Sequence, residues 1–428
     1  DRYSITSLED AAKMVPNFYV NFGGSGNGSN LYLRGIGSTS ISAAFDQSVA
    51  LNIDGVVINQ GRFIANAYLD MGQMEVLKGP QSLYFGKSAT AGVVSITSND
   101  PGQEFEAELM AGFAPEHDGT YWEGIISGPI TENFGARLAI GTNKADEKYE
   151  NITPGVAKRW LGDETVNARL TLVWEPTDNL KARLKYSYSE FNSDGPNAAA
   201  EEYCPDGTVQ ATTTVGMVLQ GFDDCKLNGN TSHADLNPVL VPGNPHANGG
   251  VAWLEQETDM ISVQLDWDFS DTLSLTSITS YTDLLHTDFD IYDYNVGVFG
   301  GAHSNSYESL AQEFRVASSY DGAFNFQAGL YYQDFDQEFH AWQYAANIGL
   351  LAADPVTGNG YDYDKHHYTS GKVKSVYVAG YWDVTDTVEV TAGVRYTEEE
   401  KDGHITIPYV HTFLKGTFAA PPDRKSVV

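Results

Sequence analysis

Asn179-Leu-Lys-Ala-Arg-Leu-Lys-Tyr-Ser-Tyr-Ser-Glu190 alternates without a break: Leu180, Ala182, Leu184, Tyr186 and Tyr188 are apolar, while Lys181, Arg183, Lys185, Ser187 and Ser189 are polar. Successive side chains of an extended strand point to opposite faces, so this run has one oily face and one polar face. The pattern recurs. Val166–Trp174 sets Ala168, Leu170, Leu172 and Trp174 against Asn167, Arg169 and Thr171. Asp259–Phe269 sets Ile261, Val263, Leu265, Trp267 and Phe269 against Ser262, Gln264, Asp266 and Asp268. Val388–Tyr396 opposes Val390, Ala392 and Val394 to Glu389, Thr391 and Arg395. Phe105–Phe113, Phe134–Thr142, Leu310–Ser318 and Phe324–Tyr332 obey the same rule. With the less regular Tyr121–Gly128, Thr272–Leu284 and Lys372–Trp382, this gives about eleven strands.

The connections alternate in length. Tight turns fall at Pro129–Asn133, Pro176–Asn179, Ser270–Thr272, Ser319–Gly322 and Thr385–Thr387. Between them run the long excursions Lys144–Asp163, Asn192–Trp253, Leu285–Asn305 and Asp334–Gly371, read here as polar loops. Short turns on one side and long loops on the other belong to an outer-membrane barrel, with the long loops outside the cell. The strands reach about ten residues, enough for a tilted bilayer crossing, whereas strands of soluble sheets usually run about 5–6. No apolar run is long enough for a spanning helix, as expected where alternate residues face lipid and lumen. Trp174, Tyr186, Trp267 and Tyr281 suit the aromatic belt at a membrane interface.

Composition narrows the partners. The 428 residues carry 25 basic and 57 acidic side chains, net −32, which argues against nucleic acid because phosphate backbones need a basic surface. With 25 Tyr and 20 Phe the chain is too aromatic for an acidic disordered protein. Cys204 and Cys225, alone in a polar stretch, are expected to form a disulfide in an oxidising compartment.

Residues 1–100 read differently from 101–428. Ser7-Leu-Glu-Asp10 caps a short helix that Pro16 stops, and short β-type runs follow at Leu31–Arg34, Val49–Ile53, Glu75–Leu77 and Val93–Thr97. This is a small α+β unit. Asp54-Gly55 reads as a tight turn, and Lys78-Gly79-Pro80 as a strand breaker. Arg34, Glu75 and Lys78 are charges in otherwise apolar runs; with Asp54 they are expected to form ion pairs inside this unit or to the barrel wall.

Four motifs in series carry a family resemblance: Leu31-Tyr-Leu-Arg34-Gly35-Ile-Gly37, Val49-Ala-Leu-Asn-Ile-Asp54-Gly55-Val56, Met74-Glu75-Val76-Leu77-Lys78-Gly79-Pro80-Gln81-Ser-Leu83-Tyr84-Phe-Gly86, and Ala91-Gly92-Val93-Val94-Ser-Ile96-Thr97. In order and spacing residues 7–100 resemble the plug of TonB-dependent outer-membrane receptors. Thr276–Tyr281, Gln312–Arg315 and Ala392–Tyr396 are similar to barrel strands of that family. The resemblance implies a lumen filled by the plug in a barrel of about 22 strands, so that this chain holds about half of them. It also implies active uptake of a scarce nutrient across the bacterial outer membrane. TonB, driven by the proton gradient, would pull a segment upstream of Asp1, and the remaining strands would lie beyond the C-terminus. A small-molecule or metal-chelate ligand is expected to meet the plug loops at Phe45, Asp46, Gln60, Arg62 and Phe63, joined by the loop aromatics Tyr292 and Tyr294.

Other chemistry is thin. Gly24-Ser-Gly26-Asn-Gly28 lacks the helix and Lys-Ser/Thr of a phosphate loop. Asp362, Asp364, His366 and His367, or Asp288, Asp290 and Asp293, could meet a metal ion, but in polar loops solvated side chains are the plainer reading. Neither a catalytic constellation nor a cofactor is expected. A passive porin or adhesin, a surface enzyme and a soluble all-β binding module are the rival readings. Siderophore, vitamin and oligosaccharide substrates are not separated.

Overall fold

The computed structural model describes residues 8–22, 29–38, 46–58, 61, 69–195, 201, 203–207, 209, 212–214, 217–219, 222–292, 299–345, 353–414 and 424–427. Its N-terminal part holds α1 (Leu8–Met14), β1 (Phe18–Phe22), β2 (Ser29–Leu33), β3 (Ile36–Gly37), β4 (Val49–Ile53), β5 (Val56–Ile58), β6 (Met71–Lys78), α2 (Ser82–Phe85) and β7 (Gly92–Ser98). β1, β2 and β3 form one small sheet, and a second runs in the order β5-β4-β7-β6 with β4 and β7 parallel. β4 is buried along its whole length, which is why Val49-Ala-Leu-Asn-Ile53 reads as a nearly continuous apolar run. The turn to β5 places Asp54 and Gly55 at φ 51° and 86°, the left-handed pair that a two-residue hairpin requires.

The second part begins with β8 (Glu106–Ala114), β9 (Gly119–Thr131), β10 (Phe134–Asn151), β11 (Trp160–Thr177) and β12 (Leu180–Ser193). Three short strands follow: β13 (Thr212–Thr214), β14 (Met217–Leu219) and β15 (Asn230–Thr231). Then come β16 (Trp253–Ser270), β17 (Leu273–Ile291), β18 (Phe299–Ser318), β19 (Phe324–Ala345), β20 (Tyr363–Thr385), β21 (Val388–Val410) and the short β22 (Arg424–Val427). One antiparallel sheet runs β22-β21-β20-β19-β18-β17-β16-β12-β11-β10-β9-β8, with β15 beside β10. β10 and β21 stand eight strand spacings apart, roughly 40 Å if the sheet were flat. Both touch the small N-terminal unit, Arg137 bonding Asp70 and Arg395 bonding Leu83, so the sheet curves around it.

Outward side chains carry an apolar band: Ile261, Val263, Leu265, Trp267 and Phe269 on β16, and Val388, Val390, Val394 and Tyr396 on β21, are all exposed. Trp174, Tyr186, Trp267 and Tyr281 belong to this outer face. The band ends where outward positions turn acidic. Asp259, Asp283 and Glu308 lie opposite one another across β16, β17 and β18, Asp334 follows on β19, and Glu398 on β21.

The strands do not end there. β19 continues to Ala345 and β20 begins at Tyr363, so much of the expected loops Lys144–Asp163, Leu285–Asn305 and Asp334–Gly371 is strand. Above the bilayer neither face need be apolar, so the ladder persists after the sequence alternation has gone. The excursion between β12 and β16 does leave the sheet. Its Leu236 and Leu240 pack on the outward residues Phe289, Ile291, Ala302, Trp342 and Tyr344, outside the barrel wall.

Candidate functional site

The N-terminal unit is seated by charged side chains on the inward face of the sheet. On β10, Arg137 donates from Nε and Nη2 to Asp70 at 2.7 Å each, and from Nη1 to Glu106 at 3.1 Å. Asn99 Nδ2 also donates to Asp70, at 2.8 Å. Arg169 on β11 donates to the Leu69 carbonyl. Lys185 on β12 lies 2.9 Å from Asp54 Oδ1 and donates to Ser98 Oγ at 2.8 Å, while the Ser98 amide donates to Asp54. Arg183 reaches Asp100 at 2.8 Å. Asp54, Asp70, Arg137 and Lys185 are each at least nine-tenths buried as side chains, so these bonds replace water that the charges have lost.

The opposite wall holds the unit differently. Lys87 bridges Asp46 at 2.9 Å and Glu399 on β21 at 2.6 Å, and Lys401 stands 3.6 Å from Asp46. Both ammonium groups lie over the Phe335 ring of β19, at 5.2 and 5.8 Å from its centre. Burial works against the Lys87 charge, but Asp46 and Glu399 outweigh it and hold its pKa above the ordinary value. Gly371, between Phe335 and Lys401 in the strand register, leaves the ring its space; a Cβ there would sit 2.5 Å from Phe335 Cζ. Lower down, Arg395 donates to the Leu83 carbonyl, Tyr84 and Tyr381 share a hydroxyl bond of 2.8 Å, and Tyr84, Arg315, Gln327 and Tyr377 line a cavity of about 320 Å³.

Of the expected ligand contacts, Asp46 and Tyr292 fall among the described residues. Asp46 stands in the group with Lys87 and Lys401 just described. Phe45, Gln60, Arg62, Phe63 and Tyr294 lie outside the described residues, as do Asp293 and Gly24–Gly28. Of the four charges expected to pair, Asp54 meets Lys185; for Arg34, Glu75 and Lys78 no ion pair forms among the described residues. Arg34 is exposed at a turn with φ 52°, Glu75 is exposed and accepts from Gln73, and Lys78 donates to the Pro16 carbonyl at 2.8 Å. Their runs are only half covered, so water and neutral acceptors solvate them.

Asp364, His366 and His367 sit on β20 rather than in a loop. His366 meets Asp364 at 2.9 Å, and His367 meets Thr369 at 3.1 Å. Asp288 and Asp290 lie on β17, where Asp288 is shared by His286 and His303 and Asp290 meets His233. Among the described residues no three His, Cys, Asp or Glu side chains converge as a metal site. Tyr292 stacks on His303 and bonds its Nε2 at 2.9 Å, supporting the wall. Cys204 and Cys225 are joined, with Cα atoms 4.8 Å apart. The seat residues Asp70, Arg137 and Lys87 escaped the sequence reading, although Arg169, Arg183 and Lys185 stood out as cations on the polar face of strands.

Residues 1–93 match the family model of the TonB-dependent receptor plug domain. The ferrioxamine B receptor of Salmonella typhimurium is 26% identical over 209 residues, 48% of this chain and 27% of that protein. The ferrioxamine receptor of Yersinia enterocolitica is 23% identical over 54% of this chain and 30% of its own length. Among solved structures, the ferric yersiniabactin uptake receptor FyuA from Yersinia pestis superposes with a TM-score of 0.74 at 17% identity, over 95% of this chain and 56% of FyuA. The ferric citrate transporter FecA gives 0.65 at 14% identity, over 95% of this chain and 55% of FecA. The chain thus spans about half the length of these solved receptors and its matches take in under a third of the curated ones. A plug-domain match, a plug seated by buried ion pairs, and a curved sheet with an oily outer band give this chain the plug-and-barrel architecture of a TonB-dependent outer-membrane receptor.

Proposed function

We propose that the protein imports a ferric siderophore across the outer membrane, with TonB pulling on a segment upstream of Asp1 and ligand captured between the plug apex around Asp46 and the strand extensions above the bilayer. The observation that carries this reading is the buried seat formed by Asp70–Arg137 and Asp54–Lys185. A lumen filled by a domain so anchored has no passive pore, and freeing it requires work that the outer membrane itself does not supply. The similar receptors are named for ferrioxamine, ferric yersiniabactin and ferric citrate, all iron chelates. A closed barrel of about 22 strands would surround the plug on every side.

The test is radio-iron uptake by cells whose only siderophore receptor is the full-length protein. Uptake that stops on TonB deletion or on addition of a protonophore is the expected result. Uptake that survives both, with conductance in planar bilayers, would favour a passive porin.

A further inference from the structure

Above the bilayer the outer face of β19, β20 and β21 mixes charges, Lys372 and Lys374 of β20 standing opposite Glu400 and Glu398 of β21. Asp336 and Glu338 of β19 and Glu398 and Glu400 of β21 are exposed on the outer face, whereas their neighbours Phe335 and Gln337 are buried toward the lumen. The inner face gathers cations. Lys401 and the plug's Lys87 lie over Phe335, and Lys365 of β20 lies over the Phe339 ring at 5.4 Å. His367 pairs with Phe339 across the strands. In a chain of 57 acidic and 25 basic residues, an inward group of three lysines is the reverse of the average.

The carboxylates facing the group are few. Asp46 and Glu399 serve Lys87, with Asp46 also near Lys401. Asp288, beyond the stacked Phe339 and His303 rings, is held by two histidines. Lys365 has no carboxylate partner among the described residues, and burial alone lowers its pKa. Burial, then Lys365 and Lys401, push His367 down as well. Even a half-buried cation without a counter-charge is costly until an anion meets it, and an aromatic floor fixes an ammonium while leaving its outer hydrogens able to donate.

We propose that Lys87, Lys365 and Lys401, on the floor of Phe335 and Phe339, form the recognition site for an anionic ferric chelate, one whose iron is wrapped by catecholate or carboxylate oxygens. The inference rests on the uptake reading for the ligand being an iron chelate. It sets this protein apart from its ferrioxamine-receptor relatives: ferrioxamine B carries an ammonium group, which this wall would repel.

The test uses the purified full-length receptor, with tryptophan fluorescence titrated against a ferric tris(catecholate), ferric dicitrate and ferrioxamine B. At least one anionic chelate is expected to bind about tenfold or more tightly than ferrioxamine B, the ratio one charge-assisted hydrogen bond can supply. Lys365→Gln and Lys401→Gln should each weaken that chelate about tenfold, while ferrioxamine B, relieved of a like charge, should bind no more weakly than before. Gln is one atom shorter than Lys but stays polar without the charge, and an unchanged heat-denaturation midpoint would show that both variants fold. Equal or tighter binding of ferrioxamine B, no binding of either anionic chelate, or indifference to both substitutions would overturn the proposal. Selective binding without TonB-dependent import would leave the site standing and remove the uptake reading instead.

Discussion

The two walls that seat the plug solve the same problem in opposite ways. On β10 to β12 every plug carboxylate described meets a barrel cation at hydrogen-bond distance: Asp70 has Arg137, Asp54 has Lys185, and Asp100 has Arg183. On β19 to β21 the plug contributes a lysine, the wall adds two more, and aromatic faces take the place of some of the missing carboxylates. On the first wall each of these carboxylates has its cation, and Arg169 is held by the Leu69 carbonyl. On the second, Lys365 has no carboxylate partner among the described residues. Under the recognition site proposed above, anchoring and recognition would occupy different walls of the lumen.

The strongest way to break this comparison is at Arg137. Its guanidinium and the Asp70 carboxylate are 8% and 2% exposed. Arg137→Met leaves a buried carboxylate uncompensated and is expected to cost about 3–5 kcal/mol of local plug stability. Hydrogen exchange at the amides of β6 and β7 in the full-length receptor would register the loss, since local opening sets their protection. Protection unchanged by the substitution would mean that the first wall does not anchor the plug. Lys185→Met should act in the same direction but less, about 1.5–3 kcal/mol, the worth of hydrogen bonds to a charged group. It is milder because Asp54 keeps the Ser98 amide and hydroxyl as donors.

On the second wall the same measurement should give little. Glu399 is 36% exposed, and Glu399→Gln retains an oxygen that can accept from Lys87. The expected loss is under about 1 kcal/mol, as for a partly solvated ion pair. A loss rivalling that of Arg137→Met would erase the distinction between the walls.

The contrast also explains what the sequence disclosed. Alternation reports lipid, not the hydrogen-bonded ladder. Leu180 to Tyr188 and Ile261 to Phe269 were legible because every second residue must be apolar in the bilayer. At Asp259, Asp283 and Glu308 that demand ends, and with it the signal, although β17 runs on to Ile291. His366, Asp288 and their neighbours therefore read as loop residues while belonging to strands. The plug motifs were legible as a series, and the cations Arg169, Arg183 and Lys185 as a polar face. Their partners were not, because Asp70 and Arg137 stand 67 positions apart, and Asp54 and Lys185 131. No local pattern links residues at such separations.

The smallest expected effect sharpens the comparison most, because it reverses sign. Burial, without an opposing carboxylate, lowers the Lys365 pKa from the ordinary 10.5. At neutral pH the folded protein thus holds an ammonium ion more easily solvated in the unfolded chain. As pH rises through the lowered folded value, Lys365 gives up its proton in the native state while the unfolded chain still binds it. Stability around β20 should then increase until the ordinary lysine range is reached. Lys87 behaves oppositely: its raised pKa gives a contribution present below 10.5 and lost only above it. Lys365→Gln should therefore slightly increase the protection of β20 amides at neutral pH, and its advantage over the parent should shrink as pH climbs toward 10.5. Protection that falls on making Lys365→Gln would mean that Lys365 already has the anion it lacks here, and that the second wall is as complete as the first.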